Sequence, residues 1–470
     1  MPDVDIKSGE EVLARKQILP DSMGKSIQDQ ELTTSVAIAK ILHSSKTGRQ
    51  IPFASATVEG AEDEEELSLY RCLFGRDSLI ISHLMRKSMP HLTPNSVMEL
   101  GEHQGSEFNL QTEEEPGRIP HEVRESDDPI AVRLQETNGW RFPYYGSVDA
   151  TLLWLTAACG AIARGLLDPS QLCGDVRLEV RIERAVGWVL TRLERHNGFI
   201  CSERSSASGI ENQVWKDSGD SYMHSDGTLA RSNARGSVET MAEAFDALVA
   251  VADGLDASHF SFTLCSSSDL RRSAEQIRRH LLGDLWLGDR FALGWDYNPS
   301  GTMETLDAMT SNQGRLLNSR ILEGEAHRPY VEAIVEAVMD PSMLGRSGLR
   351  TLSANHVSYR PGGYHTGSAW PFDGALVAEG LMRHGFHREA NRLFAPTAVA
   401  LRDLKGYPEF LRGDAPNHGW ITTEIVDIMS TQTGHPNRVC QPPQLVQGWT
   451  VAAAIWSRDF ALSEQIDARS

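Results

Sequence analysis

The stretch NQVWKDSGDS, residues 212–221, puts an amide pair, a tryptophan, a lysine and two aspartates into ten residues with no apolar run around them. Buried amides and carboxylates need hydrogen-bonding partners. The stretch is therefore either a solvated turn held by Asx-type bonding or the wall of a polar pocket. Within it Asp217 stands beside Trp215, and Asp220 follows one short turn later. An aromatic wall and a second carboxylate both raise a carboxyl pKa. A second acid, Glu409, sits between Pro408 and Phe410 in GYPEFLRGD. Cleavage of a glycosidic bond needs one carboxyl that protonates the leaving oxygen and another that activates water or attacks the sugar. Asp217 and Glu409 lie 192 residues apart, so only the fold could pair them.

Other constellations carry less. His365 and Ser368 in GYHTGSAW lack the GxSxG elbow of a serine hydrolase. RPGGYHTG is glycine-rich but has no following GKS or GKT, and His121-Glu122 does not extend to HExxH. A sugar epimerase would use histidines as acid and base, and His365 with His418 keeps that alternative open. Aromatic residues beside Gly, Pro and charges recur in the loops, among them Trp140, Trp215, Trp295, Trp370, Trp420, Trp449, Tyr144, Tyr145, Tyr297, Tyr364 and Tyr407. Such rings suit the apolar C–H faces of sugars.

The elements that must position these loops are helical. DVRLEVRIERAVGWVLTRLERHNG places Leu178, Ile182, Ala185, Val186, Val189 and Leu193 on one stripe, with Asp175 as its cap and Gly198 as its stop. A second stripe runs from Ser237 to Gly254 with Met241, Phe245, Leu248 and Val251 in phase, and helices are expected over 371–385 and 447–461. A leading helix is expected in LTTSVAIAKILHSS, followed by the solvated acidic run EGAEDEEE. Period-two strand patterns are scarce and short. The loops recur every few dozen residues, as an all-helical toroid of hairpins would require if each hairpin delivered one loop to a common face. The division expected is an N-terminal helical extension over residues 1–65 and one catalytic domain over 66–470.

Composition narrows the partners. The 470 residues are 40% hydrophobic and 23% charged, ordinary for a globular protein. A net charge of −19 argues against nucleic acid or an anionic membrane as main partner. Six scattered cysteines form neither a CxxC nor a His/Cys cluster, which argues against zinc and suits free thiols in a reducing compartment. The N-terminus has no apolar signal core, and the longest apolar stretch, 150–163, is too short to span a bilayer. A cytoplasmic location is expected.

Seven loops, LFGRDSL (73–79), TEEEPGRIPHEVR (112–124), YYGSVDAT (144–151), NQVWKDSGDS (212–221), SNQGRLL (311–317), YHTGSAWPFDGALVAEGL (364–381) and YPEFLRGD (407–414), resemble in the same order the glycogen-debranching type of six-hairpin glycoside hydrolases, the amylo-α-1,6-glucosidase-like group. The resemblance covers roughly residues 70–460. It implies an all-α (α/α)6 barrel of six inner and six outer helices, with the site at one mouth. It also implies inverting, exo-acting hydrolysis of an α-glucosidic or similar bond, with no metal and no organic cofactor. Matched motif by motif, Asp217 takes the general-acid position and Glu409 the general-base position. Arg76 and Asp77 resemble the pair that grips hydroxyls of the sugar being cleaved. Tyr145, Asp149, Trp215, Lys216, Glu239, His365 and Trp370 match positions that line the pocket. An inverting pair should hold its carboxyls about 6.5–9.5 Å apart.

The chain departs from that pattern in two places. It has no room for a β-sandwich before the barrel, and the C-terminal signature is altered to CQPPQLVQGW (440–449). A small carbohydrate or glycoside is therefore at least as suitable a substrate as a glycogen branch. The alternatives are a same-barrel trehalase- or invertase-like hydrolase, or a barrel that binds sugar without cleaving it.

Overall fold

The computed structural model describes residues 17–18, 34–56, 70–414, 417–429 and 436–467. The expected acidic run EGAEDEEE lies outside the described residues. Helices dominate, in chain order α1 (Thr34–Ile41), α2 (Gly75–Leu84), α3 (Leu92–Glu102), α4 (Pro129–Asn138), α5 (Asp149–Ala163) and α6 (Leu178–Arg195). After these come α7 (Val238–Asp256), α8 (Ser267–Gly283), a 3₁₀ segment (Ser311–Asn318), α9 (Arg328–Met339), α10 (Pro371–Arg383), α11 (His387–Leu404) and α12 (Gly448–Asp467). The described strands are short, the longest being Glu424–Met429, and their sheets have two or three strands.

The packing order follows from the amphipathic stripes. Every predicted stripe residue of α6 and of α7 is buried, because a helix with one apolar face must cover it against a neighbour. Contacts run in a closed cycle from α2 to α5, α7, the 3₁₀ segment, α10, α12 and back to α2. A second helix backs each member: α3 lies on α2, α6 on α5, α8 on α7, α9 on the 3₁₀ segment, α11 on α10 and α1 on α12. Helix α1, assigned by sequence to a separate extension, thus packs on the last helix of the chain.

One expectation on local structure needs correction. Asp175 does not cap α6. Residues Val176–Arg177 pair as a hairpin with Leu172–Cys173, so the helix starts after Arg177, and the Asp175 carboxylate instead accepts from Arg181 Nη2 at 3.2 Å. The inner segment Ser311–Asn318, which contains SNQGRLL, is a 3₁₀ helix of eight residues, longer than such helices usually run. All six cysteines are free thiols, and among the described residues no helix is long and apolar enough to cross a membrane.

Candidate active site

The inner elements begin at one mouth of the cycle, and their first turns carry acids: Asp77 on α2, Asp149 on α5, Glu239 on α7 and Asp373 on α10. A helix N-terminus presents free N–H groups and partial positive charge, which favours carboxylates there. At α2 the approach is close, since a Cβ on Gly75 would sit 2.2 Å from the Pro120 carbonyl oxygen. Glycine lets the start of α2, with Arg76 and Asp77, press against the 119–122 loop.

A cavity of about 310 Å³ opens at this mouth, at the small end of the range for small-molecule sites of about 300–1,000 Å³. Asp217, Glu409, Arg76, Asp77, Trp215 and Trp370 all line it. The structure therefore brings together two acids that the sequence could only suggest pairing. Loop 212–221 is not a solvated turn, because Asn212, Gln213 and Lys216 are fully buried and partnered. Asn212 Nδ2 donates to Ser218 O at 2.7 Å, and Gln213 accepts from Arg118 Nη2 at 2.6 Å. Lys216 Nζ donates to Asn312 Oδ1 at 2.6 Å and to Thr351 O at 2.8 Å. These bonds pin the loop on either side of Asp217.

The other expected residues stand behind the lining. Asp149 accepts from Arg76 Nε at 2.6 Å, in a buried pair. Glu239 accepts from Asn312 Nδ2 at 2.8 Å, one residue beyond Lys216. His365 stacks on Trp370 with ring centroids 5.1 Å apart and meets Ser218 Oγ through Nδ1 at 2.9 Å. Tyr145 does not line the cavity; its hydroxyl donates to the His103 carbonyl at 2.8 Å. Asp220 accepts from Ser218 Oγ at 2.8 Å. The epimerase alternative loses its geometry here. Burial beside Lys216 and Arg76 holds the His365 imidazole neutral, far below its ordinary pKa, and His418 is exposed.

Sequence reasoning gave no role to several residues. Tyr364 donates its hydroxyl to Glu409 Oε1 at 2.6 Å, and the Gln444 backbone N–H donates to Oε2 at 3.2 Å. Gln444 belongs to the altered segment CQPPQLVQGW, which also brings Gln447 and Trp449 to the lining. Tyr70, Phe74, His121, Glu122 and Trp140 complete much of the wall. Only the recurrence of aromatics in glycine- and proline-rich loops hinted at Tyr364, Trp140 and Trp449. Trp215 and Trp449 keep their Nε1–H groups without a hydrogen-bond partner among the described residues. Buried donors of this kind await an acceptor, which a sugar hydroxyl can supply.

The electrostatics suit proton exchange. Burial lifts Asp217 to about 6, against the opposing pull of Arg76. Burial lifts Glu409 to about 7, against the donors from Tyr364 and Gln444, with Asp217 adding to the rise. Asp77 is likewise raised by burial to about 7, despite Arg76. Neighbouring acids titrate as a set rather than singly. Near neutral pH the cavity therefore holds protons that ordinary surface carboxyls have lost.

A helical shell of paired inner and outer elements, with acids gathered at one mouth around a small aromatic cavity, resembles that of the six-hairpin glycoside hydrolases. Residues 180–411 match the family model described as the mannosylglycerate hydrolase MGH1-like glycoside hydrolase domain. No curated protein matches the chain by sequence. Among solved structures, the fold resembles that of the GH63 mannosylglycerate hydrolase from Thermus thermophilus in complex with Tris. That match has 14% identity and a TM-score of 0.58, covering 90% of this chain and 99% of the other. The same enzyme with Tris and D-glycerate matches at 12% identity and TM-score 0.58, covering 91% and 100%. A structure described as a wild-type glycosidase matches at 14% identity and TM-score 0.54, covering 94% and 98%. At such identities the likeness is one of fold.

Proposed function

We propose that the chain is an inverting, exo-acting hydrolase of a small hexoside, with Asp217 as general acid and Glu409 as general base. The closed cycle and its backing helices are read as an (α/α)6 barrel that begins at residue 34 rather than after residue 65. The observation that carries the reading is the meeting of Asp217 and Glu409 in one small cavity that also holds Arg76 and Asp77. Hydrogen bonding decides the roles. Both oxygens of Glu409 receive donors, an arrangement that favours its charged form, whereas Asp217 stands beside Trp215 and can present a proton to a leaving oxygen. Taken alone, the higher pKa of Glu409 would swap the roles. Turnover then runs through the minor singly protonated form of the coupled pair, with the proton on Asp217 and the charge on Glu409 held by its two donors.

In the reaction, Glu409 takes a proton from water as the water oxygen attacks the anomeric carbon. The carbon–oxygen bond to the leaving group breaks, and Asp217 gives its proton to the departing oxygen. Both carboxyls return to their starting states when the proton passes back through solvent. Arg76, fixed by Asp149, and Asp77 grip hydroxyls of the sugar, while Lys216 holds the acid loop in place. The cavity admits one hexose with a short leaving group, and a hexosylglycerate of the kind named for the fold relatives meets that description. Six free thiols accord with a cytoplasmic setting.

The test is release of free hexose from a panel of mannosylglycerate, glucosylglycerate, isomaltose, glycogen limit dextrin, trehalose and sucrose, with Asp217→Asn as the paired control. Release from a small glycoside that vanishes in the variant is the expected result. Equal release by the variant would remove Asp217 from the acid role, and no release by either folded protein would favour a barrel that only binds.

A further inference from the structure

The volume of the cavity around Asp217 and Glu409 sets the size of what it admits, and its rim bears on the chemistry of the leaving group. The lining has two halves of different exposure. Arg76, Asp77, Trp370, Glu409 and Trp449 are buried, whereas Leu134, Trp140, Ile210 and Glu211 are half-buried. Asp217 is half-buried as well. With Asp217 as the acid, the bond to be cleaved lies at the boundary, the hexose below it and the leaving group against the rim.

The rim is held from behind. The Trp140 indole stacks on Tyr144 with ring centroids 4.7 Å apart, and its Nε1–H donates to the Ser208 carbonyl at 2.7 Å. The Tyr144 hydroxyl donates to Glu113 Oε1 at 3.1 Å and accepts from the Ile210 N–H at 2.9 Å. Glu113 Oε2 accepts from the Ser205 N–H at 3.1 Å and from Gln213 Nε2 at 2.5 Å. Glu113 is 1% exposed and left-handed at φ 55°, a conformation that residues with a Cβ adopt only at a cost. Gly209 makes the approach possible, since a Cβ there would sit 1.7 Å from Glu113 Oε1. One buried carboxylate thus ties the Trp140 rim to the loop that carries Asp217.

The rim is apolar, and the charge around it is negative. The lining carries the carboxyls of Asp77, Glu122, Glu211, Asp217 and Glu409. Among the described residues its single arginine or lysine is Arg76, which lies in the buried half and is paired with Asp149. Arg235, 3.4 Å from Glu211, is buried and outside the lining. A carboxylate on the leaving group would therefore meet Glu211 at the rim without a cation to receive it, and like charges side by side oppose binding. We propose that Trp140, with Leu134 and Ile210, is the platform for the leaving group, and that the rim selects a neutral sugar ring there over a small carboxylate. The C–H face of a pyranose suits an indole and two aliphatic side chains. The inference rests on Asp217 as the acid, which fixes the side of the cavity where the leaving group lies.

The test compares leaving groups on one hexose, isomaltose and trehalose against glucosylglycerate and mannobiose against mannosylglycerate, with full-length wild type and Trp140→Ala. Wild-type kcat/KM should be at least about tenfold higher for a disaccharide than for the glycerate glycoside of the same hexose. Trp140→Ala should lower the disaccharide value about tenfold, through KM, and leave unchanged both the glycerate value and the Ki of free hexose, which binds in the buried half. Leu134→Ala, at the same rim, serves if the first variant fails to fold. A glycerate glycoside cleaved as well as every disaccharide of its hexose would overturn the proposal. So would a folded variant that keeps the wild-type ratio, or one that loses the same factor on both classes and on free hexose. Should neither class be hydrolysed, the reading of Asp217 and Glu409 as acid and base fails separately, and the same ratios, taken as Kd by calorimetry on wild type and variant, decide the selectivity of the rim.

Discussion

Replacing Tyr364 with phenylalanine removes one oxygen and leaves the ring, which packs edge-on against Trp370 and Phe410 at centroid distances of 4.9 and 5.2 Å. The lost hydroxyl is the donor held 2.6 Å from Glu409 Oε1. A hydrogen bond to a charged group contributes about 1.5–3 kcal/mol, and one pKa unit is about 1.36 kcal/mol. The variant should therefore raise Glu409 by about 1–2 units, since only the Gln444 N–H remains to favour its charge. With Glu409 at about 7 and Asp217 at about 6, a single proton shared by the pair already favours Glu409 about tenfold. Turnover needs the opposite arrangement, a proton on Asp217 and charge on Glu409. A further lift of 1–2 units should cut the productive population, and with it kcat/KM at the optimum, by roughly 10- to 100-fold. The alkaline limb should move upward by the same 1–2 units, because it reports Glu409 losing its proton. The assay is kcat/KM against pH with the substrate found in the panel. An unchanged optimum rate, or a large fall with neither limb moved, would refute the reasoning.

The remaining predictions follow from the same geometry. Wild-type kcat/KM should be bell-shaped with limbs near 6 and 7, the acid limb reporting chiefly Asp217 as the pair takes up its second proton and the alkaline limb chiefly Glu409 as the pair loses its last; a flat profile over that range would contradict it. Glu409 binds its proton more tightly folded than unfolded, so its contribution to stability is complete at low pH and is lost as pH rises toward about 7. The melting temperature of Glu409→Gln relative to wild type should therefore be higher at pH 8 than at pH 4.5, by calorimetry. Lys216→Met strands Asn312 Oδ1 and Thr351 O in a buried site and should cost about 1–3 kcal/mol of stability for each unpaired acceptor, read in denaturant titration. Gly75→Ala, with its Cβ 2.2 Å from Pro120 O, should displace the start of α2 and lower kcat/KM, whereas Gly160→Ala, whose Cβ would meet nothing nearer than Arg164 Nη2 at 3.9 Å, should leave it unchanged.

Much of the scaffold was legible because helix periodicity is a local property. The α6 and α7 stripes are buried as read, and α10 begins at the proline expected to open it. The start of α6 was misread because Asp175 resembles a cap, while pairing of Val176–Arg177 with a preceding strand, a tertiary choice, decides the boundary. The site was half legible. Acids flanked by aromatic residues stand out in a sequence, so Asp217 and Glu409 could be found. Their supports could not be. The Gln444 contact is a backbone N–H, which leaves no trace in residue type, and Tyr364 looks like any other loop aromatic. Lys216 finds Asn312 96 residues away and Arg76 finds Asp149 73 residues away, distances over which spacing carries no signal. Tyr145 illustrates the converse, a residue adjacent to a motif whose hydroxyl turns to a backbone carbonyl instead.

The most direct test of the central claim is the anomeric configuration of the sugar first released, followed by proton NMR from the moment of mixing. Attack by water under Glu409, with Asp217 protonating the leaving oxygen, predicts that the inverted anomer appears first and equilibrates with the other only by mutarotation. First appearance of the retained anomer would mean a covalent intermediate and would contradict the assignment.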